Sequence, residues 1–285
     1  MKNCPRETKN SKKNGEYAVQ IRAFVVKTSV MSGVLQNRTF LLLFFFLVLQ
    51  STSTCFSQNI QDSVVFVPLV SMSYCPQIPG GDMADRYGTN SNVGLQFLIK
   101  TKTNIVFGID GNYLFGKEIK EELFKHIATN EGYIIDAGGS YADVRLSQRG
   151  IAISSHIGKV FPAWGINKNS GVISTIGVGY LQHKIRIDTP SNNVPQLSGD
   201  YKKGYDKLTS GISVTEFLGY LFLSSKRTIN FFGGFELTQA FTKSRRTYDF
   251  DLMRRDTRNR LDLLYGFRIG WILPLYKKMP NEFGL

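Results

Sequence analysis

Residues 261–278 read LDLLYGFRIGWILPLYKK. Leu261, Leu263, Tyr265, Phe267, Ile269, Trp271, Leu273 and Leu275 share one parity, while Asp262, Gly266, Arg268 and Gly270 share the other. Alternation at period two marks a strand whose two faces meet different surroundings. A soluble small barrel fills its inside with apolar side chains and shows water a polar outside. Here bulk is apolar on one side, and the other side mixes glycine with charge. The pattern fits the reverse arrangement, in which large side chains look outward to acyl chains and Arg268 looks into a narrow interior that holds its counter-charge.

Seven further segments alternate in the same way: Val64 to Cys75, Asn92 to Lys100, Asn104 to Phe115, Ile151 to Val160, Val172 to Ile187, Gly211 to Leu223 and Ile229 to Thr242. Their length approaches the roughly 9–11 residues that a tilted strand needs to cross a bilayer. The links between them are long, short, long, shorter, long, short, long. An up-and-down meander with its long loops at one end produces that order. The fold expected is all-β: an eight-stranded antiparallel up-and-down transmembrane β-barrel with long extracellular loops. Closure is required, because a sheet edge in hydrocarbon would leave backbone groups unpaired.

The start of the chain differs from the rest. Residues 40–49, FLLLFFFLVL, follow Arg38 and precede QSTSTCFS. A basic flank, a short apolar run and small polar residues read as a secretory signal, and ten apolar residues are too few for a transmembrane helix of about 20. The organisation expected is a non-native or mis-annotated extension over residues 1–30, a signal peptide over 31–57 starting at Met31, and the barrel over 58–285. A cytosolic tail ahead of an uncleaved anchor is the competing arrangement. Residues 1–57 hold eight of the 35 Lys and Arg and two of the 22 Asp and Glu, which leaves the exported part +7 of the formal +13. Of three cysteines only Cys75 falls in that part. That excludes an internal disulfide framework and a cysteine metal cluster. No metal and no cofactor is expected.

Glu236 sits on the inward parity of the seventh segment with Gly234, Thr238 and Ala240. A hairpin joins that segment to the last, so Glu236 is expected to face Arg268 in the lumen. Asp110 and Glu216 are further candidates for this charge network. The parity of Glu216 groups it with Ile212, Val214 and Leu218, so either a bulge resets the register or Glu216 lies outside. Aromatic residues for interface girdles are expected at the strand ends, at Tyr74, Phe115, Phe161, Trp164, Tyr180, Phe222, Phe241, Trp271 and Tyr276.

The loops carry a basic excess: Lys202 and Lys203 in DYKKGYDK, and Lys243, Arg245, Arg246, Arg254 and Arg255 around the last long loop. Guanidinium forks match phosphate and carboxylate geometry, which points to lipopolysaccharide or an anionic glycan. The plain alternative is a solvated loop partly neutralised by Asp249, Asp251 and Asp256. The longest loop is expected to hold a short helix around Glu118 to His126 and a small hairpin from Tyr133 to Leu146. Neither G-x-S-x-G nor H-E-x-x-H occurs. Ser154 and His156 share a face, with no acid assignable to them by spacing. No enzymatic role is expected.

The eight-strand pattern, the terminal GFRIGWILPLYKK and a leader ending FSQ resemble the small outer-membrane β-barrels of the OmpA-transmembrane and OmpX-like type, and the uncharacterised barrel proteins of Bacteroidota. The chain departs from that pattern in ending NEFGL, not on an aromatic residue. The resemblance implies an outer-membrane location and a structural or interaction role. Its partners would be the lipid bilayer, lipopolysaccharide and another envelope protein or secretion-system component, without nucleic acid. A narrow porin-like channel is the second reading and a lipid-modifying enzyme the third.

Overall fold

The computed structural model describes residues 64–190, 193–224 and 229–275. The expected signal peptide and cleavage point, with Cys4, Cys55 and Tyr276, lie outside the described residues. Eight strands follow one another: β1 (Val67–Gly81), β2 (Asn90–Lys100), β3 (Ile105–Gly116), β4 (Arg145–Phe161), β5 (Gly171–Asp188), β6 (Thr209–Leu223), β7 (Asn230–Ser244) and β8 (Asn259–Pro274). Each pairs antiparallel with its neighbour in sequence, and β8 pairs with β1, so the sheet closes into a barrel.

The register fixes the shape. From Ser71 the partners run Gln96, Asp110, Ser154, Gly179, Ser213, Ala240 and Asp262, and return to β1 at Gly81, ten residues beyond the start. A stagger of ten over eight strands, with ~3.3 Å per residue and ~4.8 Å between strands, tilts the strands by about 41°. Each residue then climbs about 2.5 Å along the axis, and ten residues cross the roughly 25 Å apolar band of a membrane barrel.

The outer surface has that band. Val93, Leu95, Ile109, Ile153, Ile157, Val178, Ile212, Leu218, Phe235, Phe267 and Ile269 are all exposed, Phe235 at 72%. The alternate residues on the same strands point inward and are mostly buried. A closed antiparallel barrel that exposes a continuous apolar belt is an outer-membrane protein, because only lipid satisfies such a surface and only closure satisfies its backbone.

The strands are longer than alternation of hydrophobicity indicates. β4 begins at Arg145 and β5 ends at Asp188. Above the belt the outward positions are polar, so the ladder continues where the apolar signal stops. Tyr74 is consequently mid-strand and not terminal, since β1 runs on to Gly81; its hydroxyl lies 2.9 Å from Ser91 Oγ. Phe161, Phe231 and Trp271 ring the turn end, and Tyr113, Tyr180 and Phe241 the loop end.

Three expectations are corrected. Glu216 is not in the lumen: β6 pairs without a bulge from Thr209 to Leu223, so its parity is unbroken, and Glu216 is exposed on the belt between its partners Ile176 and Leu237. The segment Glu118 to His126 forms no helix. Ile119 makes a β-bridge to Tyr87, residues 125–127 form a turn, and the side chains between are drawn singly into neighbouring loops. The expected hairpin from Tyr133 to Leu146 shrinks to a bridge between Ile135 and Tyr141, because residues 145 and 146 belong to β4.

Candidate functional site

The lumen is filled in layers. At the turn end Leu69, Leu98, Phe217, Leu221, Phe232 and Ile272 pack as one buried apolar cluster. Above it lies the layer around Arg268, which is 3% exposed. Arg268 Nε lies 2.7 Å from Glu236 Oε2, and Nη2 donates to Glu236 Oε1 at 3.0 Å and to Asn112 Oδ1 at 3.1 Å. Asp110 completes the set. Its Oδ2 accepts from Arg268 Nη1 at 3.3 Å and from Asn112, and its Oδ1 lies 2.6 Å from His156 Nε2. Two carboxylates therefore face one guanidinium and one imidazole, all buried. Asp110 belongs to β3 and Arg268 to β8, so they meet across the lumen and not along a ladder. Parity places each inside, but only the stagger brings them to one level.

Asn112 and His156, inward by parity but outside the expected charge network, complete this layer. Asn112 shares the inward parity of Asp110, and His156 stands one register step from it, opposite Gly108. Ser154, the register partner of Asp110, is buried beside them. A Ser, a His and an Asp thus share one level, in an interior where the two voids lined by Arg268 measure about 20 Å³ each. A volume of that order holds about one water.

Leu114, Leu181, Ala240 and Leu264 form the next apolar layer. A second polar layer follows: His183 Nε2 lies 2.9 Å from Asp262 Oδ2, Thr242 donates to the same oxygen at 2.5 Å, and His183 Nδ1 lies 3.2 Å from the Tyr87 hydroxyl. Tyr87 follows α1 (Asp82–Arg86), whose Met83 and Arg86 dip into the mouth.

The four long loops close over this layer as a folded cap. Arg86 of the first loop contacts Glu121 of the second at 3.2 Å, and Glu121 also lies 3.3 Å from Lys207 of the third. Lys207 Nζ in turn reaches Asp249 at 2.8 Å and Asp251 at 3.2 Å in the fourth. One ionic chain therefore ties all four loops. Burial alone would pull the Lys207 ammonium down, but hydrogen bonding to Asp249 and the charges of Glu121, Asp249 and Asp251 outweigh it and hold its pKa above the ordinary 10.5. Apolar packing accompanies the chain: Tyr205, at the end of α2 (Lys202–Tyr205), meets Phe250 at 5.1 Å and Phe124 at 5.6 Å between ring centres. Phe250 lies directly over Gly204, where a Cβ would fall 2.0 Å from the ring.

The basic loop residues do not gather in one place. Arg246 is clamped on Asp206 through Nε at 2.7 Å, Arg245 donates to Ser210 Oγ at 2.7 Å, and Lys203 pairs with Asp200 at 2.6 Å. Lys202 is half-buried, while Lys243, Arg254 and Arg255 are exposed. Arg258 and Arg260 converge on Asp256. The loops also expose aromatic rings, Tyr133 against Tyr141 at 4.7 Å, and Tyr201 and Tyr248. Among the described residues no three His, Cys, Asp or Glu side chains group as a metal site.

No family model and no curated protein matches the chain. Among solved structures it is similar to Ail, the attachment invasion locus protein of Yersinia pestis, solved in complex with the heparin analogue sucrose octasulfate. Identity to Ail is 12%, over 73% of this chain and 99% of that one, with a TM-score of 0.34. OprG of Pseudomonas aeruginosa matches at 10% identity over 75% and 99%, TM-score 0.36. Neisserial surface protein A matches at 8% over 72% and 96%, TM-score 0.36.

Proposed function

We propose that this protein is a sealed outer-membrane barrel with a structural and interaction role, and that it presents its folded loop cap at the cell surface. The observation that carries this reading is the filled lumen. Apolar layers alternate with layers in which buried carboxylates pair with a guanidinium or an imidazole, and the voids beside Arg268 are about 20 Å³ each. Eight strands enclose an interior just wide enough for side chains, and here side chains occupy it. The same closure leaves Ser154, His156 and Asp110 without a route to substrate, which supports a role without catalysis.

The cap supplies the interaction surface. Lys243, Arg254 and Arg255 extend from it, and Tyr133 and Tyr141 form an aromatic face near its edge. Exposed guanidinium forks and exposed aromatic rings on the same cap suit anionic, sugar-bearing envelope material such as lipopolysaccharide or a surface glycan. Two measurements test the reading. Purified barrel in planar bilayers should show no discrete current steps; steady single-channel steps would replace it with the pore reading. Binding to purified lipopolysaccharide should fall in an R254E/R255E variant, and unchanged binding would remove the loops from the contact.

A further inference from the structure

The outward wall of β3 to β5 changes character just above the apolar belt. Ile151 and Tyr180 are the last exposed belt residues on β4 and β5. Two positions further along β4 is Arg149, and its register partner on β5 is Lys184. Both look outward by parity; at ~2.5 Å per residue Arg149 stands about 5 Å above Ile151, and Lys184, four positions past Tyr180, about 10 Å above that ring. Lys117 follows β3 directly, beside the same stretch of β4. Like charges opposite one another on neighbouring strands repel, so this trio needs a reason.

The contrast with the residues above it supplies one. Arg145, four positions further out, pairs with Asp143 at 2.7 Å, and Arg186, two beyond Lys184, pairs with Asp188 at 2.8 Å. The outward cations further out on these two strands thus have acid partners within the chain. Among the described residues Lys117 and Lys184 have none, and Arg149 donates only to the carbonyl of Gln148 at 3.0 Å. The remaining nearby acid, Glu118, accepts from the backbone N–H of Thr89 in the first loop. At the opposite edge of the belt the same wall carries only Lys159, which lies over the Phe161 ring. Three neighbouring cations without an acid partner are therefore clustered at the loop-side edge of the belt, above a seat of Phe115, Ile151 and Tyr113.

We infer that Lys117, Arg149 and Lys184 form a binding site for the phosphate groups of a phosphorylated glycolipid in the outer leaflet, with its acyl chains along the belt below. The site stands on the membrane placement of the barrel; Lys117 opens the second loop, but the site uses none of the cap cations Lys243, Arg254 and Arg255 and is separate from the sealing of the lumen. Its anion supplies the counter-charge that the strands omit.

The test uses the full barrel in nanodiscs and bis-phosphorylated lipid A as probe, with binding read by native mass spectrometry. Retention of barrel folding is read from heat-modifiable gel migration. R149Q/K184Q should lose affinity by about thirtyfold, the effect of two surface cations. R145Q/R186Q, which removes paired cations of the same strands, should change it by less than about twofold. Equal retention of enzymatically dephosphorylated lipid A would overturn the inference, as would wild-type binding by R149Q/K184Q. Displacement of the lipid by inorganic phosphate would instead identify a site for soluble anions and overturn the lipid assignment. Failure here leaves the sealed lumen untouched, because conductance reports on that separately.

Discussion

Arg268 is tolerable inside the barrel only while Glu236 and Asp110 face it, and they in turn depend on it. Replacing Arg268 with Met leaves two buried carboxylates without their cation, and a broken buried pair typically costs about 3–5 kcal/mol. Urea unfolding from lipid vesicles should show a loss of that size for R268M, and a loss below about 1 kcal/mol would mean the layer is solvated and the lumen open. Glu216 gives the opposite sign. It faces the belt between Ile176 and Leu237, where an outward charge is unfavourable by about 2–4 kcal/mol for Lys or Arg and by less for a carboxylate. E216L should therefore stabilise the barrel by about 1 kcal/mol in the same assay; destabilisation would mean that Glu216 has a partner in the membrane. The pairing of Glu236 with Arg268 is legible from parity and one hairpin. Parity also assigns Glu216 to the lipid side, and placing it in the lumen required a bulge that β6 lacks. His156 and Asn112 could not be ranked from sequence, because what brings them to Arg268 is the stagger of the whole sheet, which no local pattern encodes.

At the scale of elements the strands were readable and the loops were not, for one physical reason. A strand in lipid answers to a single period, and each belt residue repeats the signal. A loop in this cap answers to individual partners: Glu121 to Arg86 and Lys207, Leu123 to the apolar cluster, Phe250 to Gly204. Helical spacing over Glu118 to His126 is thereby overridden. Because ion pairs hold these elements, their stability depends on pH in a defined window. Lys207 titrates above its ordinary 10.5 in the folded cap, so its contribution is complete below that value and fades as pH rises through the raised one. Burial would raise the Asp256 carboxyl, but Arg258 and Arg260 outweigh it and hold its pKa below the ordinary 3.8. Its contribution is present above 3.8 and is lost as pH falls through the depressed value. Hydrogen exchange of residues 117–144 and 245–258, corrected for intrinsic rates, should stay flat from about pH 5 to 9 and rise below about pH 4. K207M should raise exchange in both loops at neutral pH while the strands keep their protection. Uniform exchange across the window in K207M and wild type alike would show that apolar packing alone holds the cap.

The whole molecule is closed twice, and the two closures are independent. The cap seals the mouth through its ionic chain and the apolar cluster of Met83, Leu123, Leu197 and Tyr205. The turn end is sealed by Leu69, Leu98, Phe217, Leu221 and Phe232, which come from strands and owe nothing to the loops. Phe217 and Phe232 meet edge to face, 5.7 Å between ring centres, within this plug, and the Arg268 layer rests directly above it, with one small void lined by both. Shortening residues 118–143 to a flexible linker should therefore expose the mouth without producing conductance. Opening the barrel should require the plug as well: F217A/F232A combined with the shortened loop removes the aromatic bulk across the narrow end, leaving water a path past Arg268 that a small ion can follow. Planar-bilayer recording distinguishes the cases. Silence from the shortened-loop variant and small steps from the combined variant place the decisive seal in the strands, whereas steps from loop shortening alone would place it in the cap and make the cap a gate.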